Sequence, residues 1–469
     1  MVWVLWSVAA LLTGGSELVA FYAVAGWFVV LAVAFLGLYG LKGGALFAVP
    51  VLLTIEALVD FFCIPAWRFA SGDDQVDPGY VWAMFLTLIG FAVFWIAALL
   101  LKRNAGLRFE PQTPTTQNRV ILVSAIFLAL GLGAKFVLWS SGLLSYTADL
   151  NLQESSLPGM QWLTTMAQTL NAALFVSAIE VMGKRSRSPQ IRFIFFASIV
   201  FSLGFGAISG MKGEILIPIL TLILIFAVTN ARLPRIAILF PLMPLIVFPF
   251  VTAYRNNLNN GYRSQVNTIS GLAAVLQKTV SDVVGSNLTF GDRASTSFDA
   301  TTSRLSILTD VRDVISLPDP SLLNGDEVVW MAPLYPFIPR FIWTNKPILD
   351  KGIRLSVALG RPNTTSSAAT PIGDLYSLYG TWGVPIGMFI FGVFVQIYMN
   401  SMGGVLSEKR LLIYFVMLRE LLDFENGVVA QVAGTVQLAL IAILLAYVIY
   451  GRSPVVARTP RNPRLAGRL

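Results

Sequence analysis

The chain has 469 residues; 56% are apolar, only 12% carry charge, the formal net charge is +8 and the mean hydropathy is +0.72. A soluble domain carries about a quarter charged residues, and no single globular core consumes this much apolar surface, so a water-soluble enzyme is excluded. One cysteine (Cys63) and no histidine exclude an internal disulfide, a Cys- or His-based metal site and a histidine general base.

A helix crosses the bilayer core in ~20 residues. About twelve segments of the chain fit, roughly 1–13, 19–41, 45–62, 80–101, 120–140, 162–182, 193–210, 214–230, 236–253, 371–399, 411–424 and 428–450. The first and eleventh are short, so each is either a span or a tilted, re-entrant or interfacial piece; the first is expected to be a retained anchor, because no Lys or Arg precedes it and no small-x-small cleavage site follows. Cations gather in alternate loops: Lys102, Arg103, Arg108 and Arg119, then Lys184, Arg185, Arg187 and Arg192, then Arg232 and Arg235, then Lys409 and Arg410. The intervening loops hold Asp73, Asp74, Asp77, Asp149 and Glu154. This bias predicts a multi-pass protein of the bacterial inner membrane with both termini cytoplasmic. It also accounts for the net charge, together with attraction to anionic lipid, so no nucleic-acid partner is implied.

The expected fold is all-α. A transmembrane bundle spans 1–253, an extracytoplasmic loop 254–370, further transmembrane helices 371–450 and a basic cytoplasmic tail 451–469. A loop of that length is usually functional, and Trp330, Tyr335, Phe337, Phe341 and Trp343 give it material for a core. Amphipathic helices are predicted at 266–284, from Val266, Ile269, Leu272, Leu276, Val280 and Val283, and at 298–317, from Phe298, Leu305, Leu308, Val311 and Ile315. They serve either to cover the bundle or to lie on the membrane surface.

Several charges sit at span ends. Lys212 and Glu214 lie in the glycine-flanked turn Ser209-Gly210-Met211-Lys212-Gly213-Glu214, and Arg255 follows the outer end of its span. Lys212 and Arg255 are placed to flank one pocket, or to snorkel as anchors. Glu56 and Asp60 share a helix face at i, i+4 and must face protein or water, since an unpaired carboxylate in lipid is costly. Arg419, Glu420, Asp423 and Glu425 cluster near the end of the short eleventh segment.

The most specific strings are Pro339-Arg340-Phe341-Ile342-Trp343-Thr344-Asn345-Lys346-Pro347 and Pro371-Ile372-Gly373-Asp374-Leu375-Tyr376-Ser377-Leu378-Tyr379-Gly380-Thr381-Trp382-Gly383. The first joins two cations to two aromatic rings, a composition suited to a sugar phosphate. The second brings a carboxylate and two tyrosines to the start of a span. On these strings, the Gly-Met-Lys-Gly turn and the large loop before the last spans, the chain resembles the O-antigen (Wzy-type) oligosaccharide repeat-unit polymerases.

The resemblance implies a GT-C-like inverting glycosyltransferase that needs no metal or cofactor. Such an enzyme moves a growing glycan from undecaprenyl pyrophosphate to the non-reducing sugar of another lipid-linked repeat unit, in contact with membrane lipid and with a chain-length regulator as a partner. A pyrophosphate leaving group calls mainly for cations. Arg255, Arg304 and Arg340 are the candidates, with Lys212 and Lys346 beside them. Asp374 is the first candidate for the base that deprotonates the acceptor and Glu327 the second, while Tyr376, Tyr379 and Trp343 are candidates for holding sugar. For each Arg, a salt bridge to a neighbouring Asp is the structural alternative. Two features depart from the pattern. The related O-antigen ligases use a His that this chain lacks, and an Arg-x10-Gly spacing occurs only as Arg68…Gly79. The rival readings are an O-antigen ligase and a lipid-linked oligosaccharide flippase or transporter. The latter expects internal repeats and mid-membrane charges, to which Lys135 and Glu180 come closest.

Overall fold

Within lipid the backbone can satisfy its polar groups only by bonding to itself, so uninterrupted apolar runs become long helices. The computed structural model describes residues 16–40, 45, 47–103, 107–109, 117–144, 160–183, 188–230, 234, 243–262, 265–285, 306–338, 342–343, 345–347, 349–361, 367–423 and 425–450. In chain order the helices are α1 (Glu17–Tyr39), α2 (Val49–Ser71), α3 (Pro78–Leu101), α4 (Gln117–Ser140), α5 (Leu163–Met182), α6 (Pro189–Ser209), α7 (Lys212–Asn230), α8 (Met243–Asn257), α9 (Ile269–Gly285), α10 (Ile307–Ile315), α11 (Lys351–Ala358), α12 (Pro371–Met402), α13 (Glu408–Leu421) and α14 (Val428–Tyr450). Among the described residues nine are long and apolar enough to cross a membrane: α1 to α7, α12 and α14. The protein is thus an all-α, multi-pass membrane protein, with one two-residue parallel ladder, β1 (Arg108–Phe109) to β2 (Val405–Leu406).

The difference from twelve spans has identifiable causes. The segment at 1–13, residues 236–242 of the ninth segment and the basic tail lie outside the described residues. The eleventh segment is α13, whose 14 residues reach only ~21 Å. Its Leu411, Leu412, Tyr414, Phe415 and Leu418 are buried against protein, and Tyr414 Oη donates to the Phe47 carbonyl.

α3 and α12 form the axis of the bundle. Gly392 approaches the α3 backbone so closely that a Cβ there would stand 2.7 Å from the Phe94 carbonyl oxygen. Gly90 leaves similar room for Val384 and Met388, the close approach that small residues permit between membrane helices. Around this axis Phe28, Phe35, Phe91 and Trp95 pack as a ring cluster. The Trp95 indole donates to Thr54 Oγ1 at 2.9 Å.

The start of α12 matters for everything below. Thr370 caps it, accepting from the Gly373 amide at 2.9 Å. Gly380 then breaks it, with φ 66° and ψ −159°, a region open essentially only to glycine. The short first half folds back on the long second half. Leu375 touches the site of Gly387, although twelve residues of straight helix would separate them by ~18 Å.

The loop between α8 and α12 packs on one end of the bundle. α10 puts Ile307, Leu308, Val311 and Val314 inward and rests on α3, on α12 and on a π-helical turn of α2 at Val59–Cys63. α9 starts at Ile269, with Val266 and Val275 buried in a small cluster with Tyr254. Residues 298–305 lie outside the described residues.

Candidate functional site at the broken end of α12

Pro371 fixes the first helical position and Thr370 the cap, which brings Asp374 into the first turn of α12, where the helix dipole favours negative charge. Its side chain is 1% exposed and ion-paired with Lys351, the first residue of α11. Lys351 Nζ also donates to Asn324 Oδ1 at 2.7 Å and lies 3.3 Å from Ser377 Oγ. Asn324 returns a hydrogen bond from Nδ2 to the Ser377 carbonyl at 2.8 Å. The Ser377 hydroxyl lies 3.1 Å from Asn324 Oδ1 and 2.9 Å from the Asp374 carbonyl, so its single proton serves one of the two. Four residues from three segments therefore form one buried polar cluster at the boundary of an apolar bundle.

A second layer surrounds it. Arg354, one turn along α11, pairs with both oxygens of Glu327, with Asp350 at 2.8 Å and with the Leu323 carbonyl at 2.9 Å. Glu327 also accepts from the Gly325 amide at 2.7 Å. Burial opposes the charge on Arg354, but the Glu327 and Asp350 carboxylates outweigh it and hold the guanidinium above its ordinary value. Arg312 joins Asp77, at the start of α3, to Asp313, and Arg361 takes the other Asp313 oxygen at 3.2 Å. Burial pushes the Asp77 carboxyl up, while Arg312 and the Tyr80 amide pull harder and leave it below the usual range.

An apolar groove of about 610 Å³ opens beside the cluster, between α12 and α14 and under the 3₁₀ turn Val329–Leu334. Val329, Leu375, Trp382, Phe391, Val432 and Val436 line it. Trp382 and Ile390, which line it, are 77% and 62% exposed, so it is open at the surface of the bundle. Leu375, next to Asp374, forms part of its wall.

The structure joins Asp374, Glu327 and Tyr376 around this end of α12, with Tyr376 packed against Val314, Leu323 and Leu355. Tyr379 is 60% exposed at the groove. Trp343 packs on Tyr335, with ring centroids 5.6 Å apart, and joins a cluster with Val429 of α14. Lys346 Nζ donates to the Ile338 carbonyl at 3.2 Å. Arg255 ends α8 and sits on the α6–α7 turn, donating to the Gly210 carbonyl at 2.7 Å. Arg304, Arg340 and the Lys212 side chain lie outside the described residues. Both candidate bases are bound by a cation, Glu327 by Arg354 and Asp374 by Lys351.

Sequence reasoning missed Lys351, Arg354 and Asn324. All three sit in polar stretches with no motif, and only the fold carries them 23 to 53 positions along the chain to Asp374, Glu327 and Ser377. Lys135, one of the two residues that come closest to mid-membrane charges, is buried in a 2.9 Å ion pair with Glu214.

No curated protein and no solved structure is similar to this chain. A family described as a domain of unknown function (DUF8712) matches residues 134–406, which include Glu327, Lys351, Arg354 and Asp374. That match covers more than half of the sequence, so the chain belongs to the DUF8712 family.

Proposed function

We propose that this protein is a membrane-embedded glycosyltransferase that joins undecaprenyl-pyrophosphate-linked oligosaccharide units into O-antigen or a related polysaccharide. In this reading it works without a metal, in the manner of a GT-C-like polymerase, on the outer face of the bacterial inner membrane. The observation that carries the reading is the adjacency of the apolar groove and the buried polar cluster. Leu375 walls the one and Asp374 anchors the other. A substrate with a long isoprenoid chain and a polar glycan needs such a junction, apolar contact for the tail and convergent polar groups for the head.

The test is direct. Purified full-length protein in lipid nanodiscs is given lipid-linked oligosaccharide extracted from host membranes that lack this protein. A ladder of products spaced by one repeat unit is expected, and unchanged substrate rules the polymerase out. Val432→Trp, which fills the groove, should raise KM for the lipid-linked donor at least tenfold and leave KM for a short-chain analogue within about twofold, since the lost contact is with the tail.

A second reading, a transporter of lipid-linked oligosaccharide, draws support from the carboxylates Glu56 and Asp60 inside α2, because intramembrane acids often serve proton relays. It predicts translocation across a vesicle bilayer with no change in glycan length.

A further inference from the structure

Asp60 lies in the π-helical turn of α2 and is 7% exposed. Among the described residues no hydrogen-bond donor or cation pairs with it. One turn earlier Glu56 buries Oε2, also without a hydrogen-bond partner there. Glu425, on the α13–α14 connection, is within electrostatic reach of Asp60, Glu56 and Asp310, and Asp423 of Glu56. Asp310 comes from α10, which packs against the same π-turn. The facing groups there are Asp313 of α10, already held by Arg312 and Arg361, and Arg361, past the end of α11, which bears on Asp310. Four acids from three segments thus converge, running from exposed Glu425 down to Asp60.

Like charges brought together out of water are not all ionised at once. They are balanced by a cation, by protons or by a ligand's hydroxyls. Arg361 bears on Asp310, but no described cation pairs with Asp60, whose charge is left to protons or to a ligand's hydroxyls. π-turns concentrate at functional sites, and this one carries the buried acid. Asp374, by contrast, is ion-paired with Lys351. Neutralising it would leave Lys351 charged and buried without its partner, whereas a proton on Asp60 relieves repulsion.

We propose that Glu56, Asp60, Asp310 and Glu425 form the subsite for the acceptor's hydroxyl groups, with Asp60 taking the proton in glycosyl transfer. This rests on the polymerase reading. The acceptor oxygen forms a bond to the anomeric carbon of the donor, and the bond from that carbon to the pyrophosphate oxygen breaks. The electron pair leaves with the pyrophosphate, and the acceptor's hydroxyl proton moves to the Asp60 carboxylate. Asp374 and Lys351 then act as positioning residues, holding the start of α12 beside the site.

Two measurements on the full chain in nanodiscs test this. Infrared titration of the carboxylic C=O band needs no substrate: a protonated-acid band near neutral pH is expected in the wild type and should lose intensity in Asp60→Asn, the share of Asp310 remaining. Turnover of the extracted lipid-linked oligosaccharide should fall ~10²–10⁴-fold in Asp60→Asn, the usual size of a general-base contribution. In Glu425→Gln the acid limb of kcat/KM should move to lower pH, because a neighbouring negative charge no longer favours the proton. If Asp60→Asn fails to accumulate, the Glu425→Gln profile decides alone. A C=O band that Asp60→Asn leaves unchanged, or an unshifted profile in Glu425→Gln, overturns the role of Asp60 while leaving the polymerase reading intact. A wild type that shows the band but turns over no substrate overturns the polymerase reading and, with it, the catalytic role.

Discussion

Lys351 and Asp374, 23 residues apart, close an ion pair whose side chains are 10% and 1% exposed. Removing one partner of such a pair strands the other charge, at a cost of about 3–5 kcal/mol, while replacing both with apolar residues is often neutral. Lys351→Met and Asp374→Leu should therefore each lower the midpoint of thermal unfolding in detergent strongly. The double substitution should recover most of the loss. Additive losses in the cycle would show that the two side chains act independently.

Gly380 makes the bend that folds the first half of α12 onto the second. A Cβ there meets no neighbour, so Gly380→Ala isolates backbone strain from crowding. The expected cost is about 1–3 kcal/mol, with the groove and the polar cluster perturbed together because Leu375 and Asp374 ride on the same half-helix. Denaturant titration of the variant beside Gly133→Ala, which also meets open space but in an ordinary helix, checks it. Equal stability of the two would remove the case for a strained bend.

Asp310 and Asp77 should impart opposite pH slopes on stability. Burial, with Asp313 and Glu425 against the pull of Arg361, pushes Asp310 up to about 7. Its contribution is full below the unfolded value of ~3.9 and is lost as pH rises through about 7. Asp310→Asn should flatten the decline in unfolding temperature between pH 5 and pH 8. Asp77 is held low, so its contribution is present above ~3.9 and is lost as pH falls through its depressed value. Asp77→Asn should remove part of the acid sensitivity below pH 4 and leave the neutral range unchanged.

Leu322 and Trp330 are 72% and 75% exposed on the loop between α9 and α12. With that loop on the outer face, as the Lys/Arg asymmetry implies, Leu322→Cys in a Cys63→Ser background should react with a membrane-impermeant maleimide in spheroplasts. Reaction only after the inner membrane is opened would invert the topology.

Composition alone made this a membrane protein, because a surplus of apolar residues has no place but lipid. The long spans were likewise legible, since α1, α3 and α14 are ~20-residue runs whose backbone has no alternative to the helix. The short eleventh segment was not, because whether an apolar stretch faces lipid or other helices depends on neighbours that the local sequence does not name. Asp374 and Glu327 stood out as candidate bases, and Glu56 and Asp60 as acids sharing a helix face. Their partners did not, since whether a carboxylate meets a cation depends on which distant charge the fold brings to it. Lys351 and Arg354 come to Asp374 and Glu327, no described cation pairs with Asp60, and only tertiary packing made that distinction.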